Sequence, residues 1–164
     1  MTFSKELLNL AQLVINTYRE KGKMITLAES CTGGLISSLL TEIPGSSAVL
    51  DRGFVVYSNE AKMELLQVKS ETLEKFGAVS AETAMEMAQG ALLNSRAQIA
   101  VAVTGIAGPG GGTAEKPVGL VFVGWKVEGR EPEFLKLILG GDRQEVRAQT
   151  VEGVMKLLFE VLTF

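Results

Sequence analysis

The run Glu29-Ser30-Cys31-Thr32-Gly33-Gly34 places a hydroxyl, the chain's only thiol and a second hydroxyl side by side on a glycine hinge. Serine, cysteine and threonine are side chains that attack carbonyl carbon. The run follows the apolar "MITLA" and precedes a helical pattern, so it reads as a strand-to-helix turn. Backbone N–H groups at the start of such a helix can bind an oxyanion or a phosphate. A polar N-cap is the simpler account of one hydroxyl, but it does not call for three reactive side chains together. Cys31 competes with Ser30 as the nucleophile. A thiol at a helix N-terminus ionises more readily, whereas an unpaired cysteine is commonly a small buried hydrophobe. The pattern is not the G-x-S-x-G elbow, because Ala28 and Thr32 stand where its glycines would be.

The chain contains no histidine. Ser-His-Asp triads, Cys-His pairs and histidine-bearing metal sites are therefore excluded. A zinc site of four thiolates is excluded by the single cysteine. No metal and no cofactor is expected. A lysine is the remaining base for a serine, provided that burial or a neighbouring charge lowers its pKa. In "YSNEAK", Lys62 falls on the first turn of a helix, whose positive end favours the neutral amine. Tyr57 sits at a strand end and can hydrogen-bond into the same site. Taken singly, Lys62 also fits a solvated surface lysine, and spacing alone does not bring it to Ser30.

Two further stretches suit a ligand. In "TGIAGPGGG", Thr104 and Gly105 leave a buried strand, and Gly108 and the following glycines can bring backbone N–H groups close to a ligand. The loop is neither a P-loop nor a dinucleotide fingerprint, and a flexible surface loop is its plain alternative. In "GDRQEVR", Arg143 near a helix N-terminus can clamp a phosphate, while Arg147 reads as part of a solvated face.

The elements that must position these groups follow from hydrophobic periodicity. Residues 4–21, 34–43 and 59–68 read as helices, as do a helix capped by Ser80 and a last one opened by an Asp142-to-Glu145 capping box. Residues 24–28, 51–58, 98–105, 118–127 and 133–139 read as strands, the last two as an antiparallel hairpin. Helices alternating with buried strands argue an α/β domain with helices on both faces of the sheet, and the hairpin makes the sheet mixed. Ser30, the Tyr57–Lys62 stretch and the Thr104 loop each follow a strand, so they are expected at one sheet edge. Gly90, inside a helix, marks close packing.

One domain is expected over residues 1–164. Hydrophobic residues make up 46% and charged residues 21%, ordinary for a globular domain. A net charge of −3 leaves no electrostatic footprint for nucleic acid. The lone cysteine and the absence of a leader or long apolar run predict a cytoplasmic protein with no membrane contact. Small α/β enzymes often dimerise, and a homo-oligomer is compatible with this chain.

In order and spacing, "AESCTGG", "PGSSAV", "YSNEAK", "GAVS", "AVAVTGIAGPGGGTAEKPVG" and "GDR" resemble the carboxy-terminal domain of the CinA (competence/damage-inducible protein) family. Stand-alone members of that family include nicotinamide-nucleotide amidases. The resemblance implies a three-layer α/β/α sandwich with a mixed, mostly parallel sheet. It implies hydrolysis of nicotinamide mononucleotide to nicotinic acid mononucleotide and ammonia, a step of pyridine-nucleotide salvage. It also implies roles: Ser30 as nucleophile, Lys62 as base, Tyr57 assisting. The turn residues Cys31, Thr32, Gly33 and Gly34 would face the oxyanion or the substrate. Thr104, Gly105, Gly108 and Arg143 would face the nucleotide. Two other readings stand beside this one. The domain could be a non-catalytic nucleotide-binding or regulatory module, or Cys31 could be the nucleophile.

Overall fold

Side-chain size alternates along the central strands, and this alternation builds the layers. The computed structural model describes residues 2–162; Met1, Thr163 and Phe164, at the ends of the expected domain, lie outside the described residues. In order the elements are α1 (Lys5–Glu20), β1 (Ile25–Glu29), α2 (Leu35–Thr41), β2 (Leu50–Val55), α3 (Asn59–Leu66) and α4 (Ser70–Phe76). They continue with α5 (Ala81–Leu93), β3 (Ile99–Gly105), β4 (Leu120–Val127), β5 (Glu133–Ile138) and α6 (Arg143–Val161). A single 3₁₀ turn at Ser46–Ala48 precedes β2.

The sheet order is β2-β1-β3-β4-β5. β1 runs parallel to both β2 and β3, and β4 runs antiparallel to both β3 and β5. One face carries branched residues: Ile25 and Leu27 of β1, and Ile99, Val101 and Val103 of β3, packed with α1, α2 and α6. The opposite face carries Ala28, Ala100 and Ala102, packed with α3, α4 and α5. Small residues there let α5 approach closely. A Cβ on Gly124 of β4 would lie 2.4 Å from the Ala84 carbonyl oxygen, and one on Gly90 would lie 1.9 Å from that of Leu66. The helix interior glycine is thus explained by contact with α3. This is the expected three-layer sandwich.

Three local expectations change. The helix expected over 59–68 stops at Leu66, because Gln67 turns left-handed with φ 56°. A short helix, α4, then follows where the sequence shows no apolar stripe; it buries only Thr72 and Leu73. The strand expected over 51–58 ends at Val55. Beyond it, the Val56 N–H still donates to the Glu29 carbonyl at 2.9 Å, but its own carbonyl accepts from Lys62. The capping box of α6 forms as expected, with Asp142 and Glu145 each accepting from the other's N–H.

The chain leaves β1 for α2 on one face and leaves β2 for α3 on the other. Parallel neighbours whose connections diverge open a crevice at their carboxyl ends. Ser30, the Tyr57–Lys62 stretch and the loop from Thr104 all emerge at that edge.

Candidate active site

Ser30 is the first residue past β1, and its N–H is still held by the Val103 carbonyl of β3 at 3.1 Å. Its hydroxyl is therefore delivered by the last ladder bond of a buried strand. Lys62 comes from α3, whose start is fixed by Ser58: the Ser58 Oγ accepts from the Ala61 N–H at 3.0 Å. From the first turn of α3 the Lys62 side chain runs inward and is only 1% exposed. Its Nζ lies 2.9 Å from Ser30 Oγ, 2.9 Å from the Val56 carbonyl oxygen and 3.3 Å from that of Tyr57.

Carbonyls only accept, so two Nζ–H bonds point at Val56 and Tyr57. The third direction faces Ser30 Oγ: the charged ammonium donates to it there, and the neutral amine turns its lone pair to the Ser30 hydroxyl. Burial holds the Lys62 pKa below its ordinary value of 10.5, with Cys31 acting in the opposite direction. Among the described residues no carboxylate forms an ion pair with Lys62. No ion pair therefore offsets the burial.

The turn after Ser30 is held from two sides. Glu29 is 1% exposed, and its carboxylate accepts five hydrogen bonds. They come from the N–H groups of Gly34, Ile36 and Ser37 and from the hydroxyls of Thr32 and Ser37, at 2.6–3.1 Å. Glu29 thus caps α2 with a full charge at the positive end of the helix. From the other side, Arg147 of α6 donates from Nε to the Cys31 carbonyl at 3.2 Å and from Nη2 to the Thr32 carbonyl at 2.9 Å. Arg147 is half-buried, so its reading as a solvated face is corrected: the Thr32 carbonyl also accepts from the Leu35 N–H, but among the described residues only Arg147 serves the Cys31 carbonyl, and α6 passes close enough to supply it. Glu29 and Arg147 are the two residues that sequence reasoning missed. An acid closing an apolar strand, and an arginine one helical turn after Arg143, were the available signals.

Glu29→Ala would leave three amides at the start of α2, those of Gly34, Ile36 and Ser37, without their acceptor. An expected loss of about 3 kcal/mol, near 10 °C in Tm for a domain of this size, is measurable by thermal unfolding. A loss under about 1 kcal/mol would mean that water serves those amides equally well.

The turn also redistributes the expected oxyanion donors. The Gly33 N–H donates to the Ser30 carbonyl at 3.1 Å, and the Gly34 N–H to Glu29. Thr32 is fully buried, with its hydroxyl on Glu29. Gly33 and Gly34 amides and the Thr32 hydroxyl are therefore engaged within the turn. Among the described residues no carbonyl or carboxylate accepts from the amides of Cys31 and Thr32. The Cys31 side chain is buried, and burial, together with the charge of Glu29, pushes its thiol up to about 11, despite opposing pulls from its own backbone N–H, Arg147 and Lys62.

Ser30, Cys31, Lys62, Tyr57, Thr104 and Arg143 meet at one cavity of about 270 Å³, with Ala78, Val79 and Gly105 in its wall. Tyr57 is 67% exposed and stands at the rim. Its link to Lys62 runs through its carbonyl rather than its phenol. The Thr104 hydroxyl donates to the Ala78 carbonyl at 2.8 Å, tying β3 to the loop before α5. Arg143 donates from Nη1 to the Gly108 carbonyl at 2.8 Å, so Gly108 anchors the arginine and lies outside the wall of the Ser30 cavity. Arg143 and Ala107 also line a second cavity of about 510 Å³, bounded by Pro109, Val118 and Asp142. A larger groove of about 690 Å³ lies between the start of α1 and α6, walled by Phe3, Leu7, Leu10 and Leu35. Its Ser4 hydroxyl caps α1 and no lysine lines it, so it offers no equivalent of the Ser30–Lys62 pair.

Known proteins share this architecture. The chain is 51% identical to the competence/damage inducible protein CihA from Agrobacterium tumefaciens, whose crystal structure superposes with a TM-score of 0.95 over 98% of each chain. A competence-damaged protein (CinA) superfamily protein from Klebsiella pneumoniae is 38% identical, with a TM-score of 0.92 over 96% of this chain and 98% of that one. A CinA-like protein of Kosmotoga olearia is 52% identical over 139 residues, 85% of this chain and 34% of that protein. The chain thus spans about a third of the length of the curated relatives it matches. Residues 7–162 match the family described as the CinA C-terminal domain, and the chain belongs to that family.

Proposed function

We propose that this domain is a serine amidase that hydrolyses the carboxamide of nicotinamide mononucleotide, giving nicotinic acid mononucleotide and ammonia. The observation that carries this reading is the Lys62 amine, buried, short of any carboxylate and 2.9 Å from the Ser30 hydroxyl. Such a pair is the Ser-Lys variant of nucleophilic catalysis, and it suits a chain without histidine.

In the proposed reaction the neutral Lys62 amine takes the Ser30 proton as Oγ bonds to the carboxamide carbon. The carbonyl oxygen becomes an oxyanion, and the amides of Cys31 and Thr32 are its donors. Removal of one such donor typically costs about 3–4 kcal/mol of barrier. The Lys62 ammonium returns its proton to the leaving nitrogen, the C–N bond breaks and ammonia departs. Water then attacks the acyl-serine, Lys62 takes the water proton, and the ester C–O bond breaks. The acid product leaves as Ser30 is reprotonated.

The two cavities that share Arg143 suit the two halves of a mononucleotide. The smaller accepts the carboxamide ring beside Ser30. The larger accepts ribose phosphate, with the Arg143 guanidinium as the anion partner. Together they fall within the usual range of about 300–1,000 Å³ for a ligand pocket. No described helix is long and apolar enough to cross a membrane. A cytoplasmic place beside the nucleotide pool is part of the proposal.

Ammonia release from nicotinamide mononucleotide by the purified protein, in buffer with EDTA, tests the reading. Steady release is expected. A folded protein that binds the mononucleotide but releases nothing would instead be a nucleotide-binding module. Activity lost on adding EDTA would overturn the metal-free mechanism.

A further inference from the structure

The amidase reading uses Ser30, Lys62 and the amides of Cys31 and Thr32, and it leaves Arg147 without a role. Arg147 lies 116 residues from Cys31 in the chain, yet its guanidinium holds two consecutive carbonyls of the nucleophile turn. It forms no ion pair among the described residues. A half-buried guanidinium spent on two neutral carbonyls calls for an explanation.

The geometry of the peptide group supplies one. The Cys31 carbonyl and the Thr32 N–H belong to the same planar unit and point in opposite directions. A donor on that carbonyl therefore fixes where the Thr32 N–H points, and draws electron density so that this N–H becomes a stronger donor. Within the turn the Gly33 N–H donates to the Ser30 carbonyl, the Leu35 N–H to the Thr32 carbonyl and the Gly34 N–H to Glu29, and the two glycines have φ of 58° and 99°. Among the described residues only Arg147 donates to the Cys31 carbonyl, so that peptide plane is the one it fixes. The charge balance points the same way. Glu29 places a buried negative charge next to the turn, where an oxyanion would form, and Arg147 offsets it. The field of Arg147 reaches the cavity wall, since it favours the anionic form of the Cys31 thiol while Glu29 opposes it.

We infer that Arg147 is a positioning residue for acyl transfer: by holding the Cys31 carbonyl, and steadying the turn through that of Thr32, it aims and polarises the Thr32 amide that receives the oxyanion. The inference rests on the Ser30 amidase reading. It assigns Arg147 no contact with substrate.

The test compares wild type, Arg147→Met and Arg147→Lys in two reactions. One is ammonia release from nicotinamide mononucleotide. The other is labelling of Ser30 by an alkyl phosphonyl fluoride, followed by mass spectrometry. In that reaction the Oγ–P bond forms, the P–F bond breaks, fluoride leaves and Lys62 takes the Ser30 proton. Arg147→Met is expected to slow both reactions roughly 10- to 100-fold, short of the 10²–10³ for deleting a donor outright. KM and the midpoint of the pH–rate profile stay in place, because neither the anion site nor Lys62 is touched. Guanidinium ion at sub-denaturing concentration is expected to restore part of the Arg147→Met rate, and Arg147→Lys to retain an intermediate one. If Arg147→Met fails to fold, Arg147→Lys carries the comparison.

Wild-type rates in a folded Arg147→Met would overturn the inference. So would a slowed Arg147→Met that neither guanidinium nor lysine rescues, since that marks a merely structural contact. Wild type inert in both reactions would remove the amidase reading and the inference with it. Wild type active with Arg147 irrelevant would remove the inference alone.

Discussion

Lys62→Met is expected to cut ammonia release by roughly 10²–10⁴-fold, the usual cost of losing a general base. Methionine keeps the length and apolar burial of the stem and removes only the amine. The pH dependence gives a second readout. Lys62 works as a base only when neutral, so wild-type activity should rise with pH through a midpoint below 10.5. The same group leaves a mark on stability. Below its folded pKa, Lys62 is charged in both folded and unfolded chains, and the cost of burying that charge is fully present. Between the folded pKa and 10.5 the unfolded chain binds more protons, so stability rises with pH, by up to about 1.4 kcal/mol per pH unit. Urea unfolding across that window should show the rise in wild type and its absence in Lys62→Met. A rate profile that is flat through the alkaline range, or an active Lys62→Met, would show that some other group takes the proton.

Ser30→Ala is expected to reduce turnover roughly 10³-fold or more, as removal of a nucleophile does. Cys31→Ala should keep activity within a few-fold. The two hydrogen-bonding environments separate these outcomes. Ser30 Oγ touches the Lys62 amine, while the Cys31 thiol is pushed to about 11 by burial and is almost wholly protonated at neutral pH. Mass spectrometry of the protein during turnover should find the acyl group on Ser30. Loss of activity in Cys31→Ala with survival in Ser30→Ala would reverse the assignment and make this a thiol amidase.

Some of this site could be read from local chemistry. A strand-to-helix turn bearing Ser30 follows from an apolar run meeting two glycines. Lys62 on the first turn of α3 follows from the helical pattern that begins at Asn59; the sequence suggests Asn59 itself as the cap, and the structure gives that place to Ser58. A missing histidine narrows the base to lysine before any fold is known. The hairpin of β4 and β5 and the capping box of α6 were open to the same reasoning, because each depends on neighbours a few residues away; Gly90 signals close packing, but its partner, the Leu66 carbonyl of α3, is a tertiary neighbour. α4 was not, since a seven-residue helix with two buried side chains leaves too short a pattern.

The remaining features depended on long-range placement. Ser30 and Lys62 are 32 residues apart, and only the parallel pairing of β1 with β2 brings the end of one strand to the start of the helix that follows the other. Burial of Lys62 needed α3 to bring its first turn in against the carboxyl ends of β1 and β2. The roles of Glu29 and Arg147 were decided by which backbone groups the turn leaves unpaired. A buried N–H or carbonyl must find a partner, but which side chain supplies it is set by the element that passes nearest. Composition and periodicity constrain each segment by its own residues. The reactive geometry is a relation between segments, and packing alone sets it.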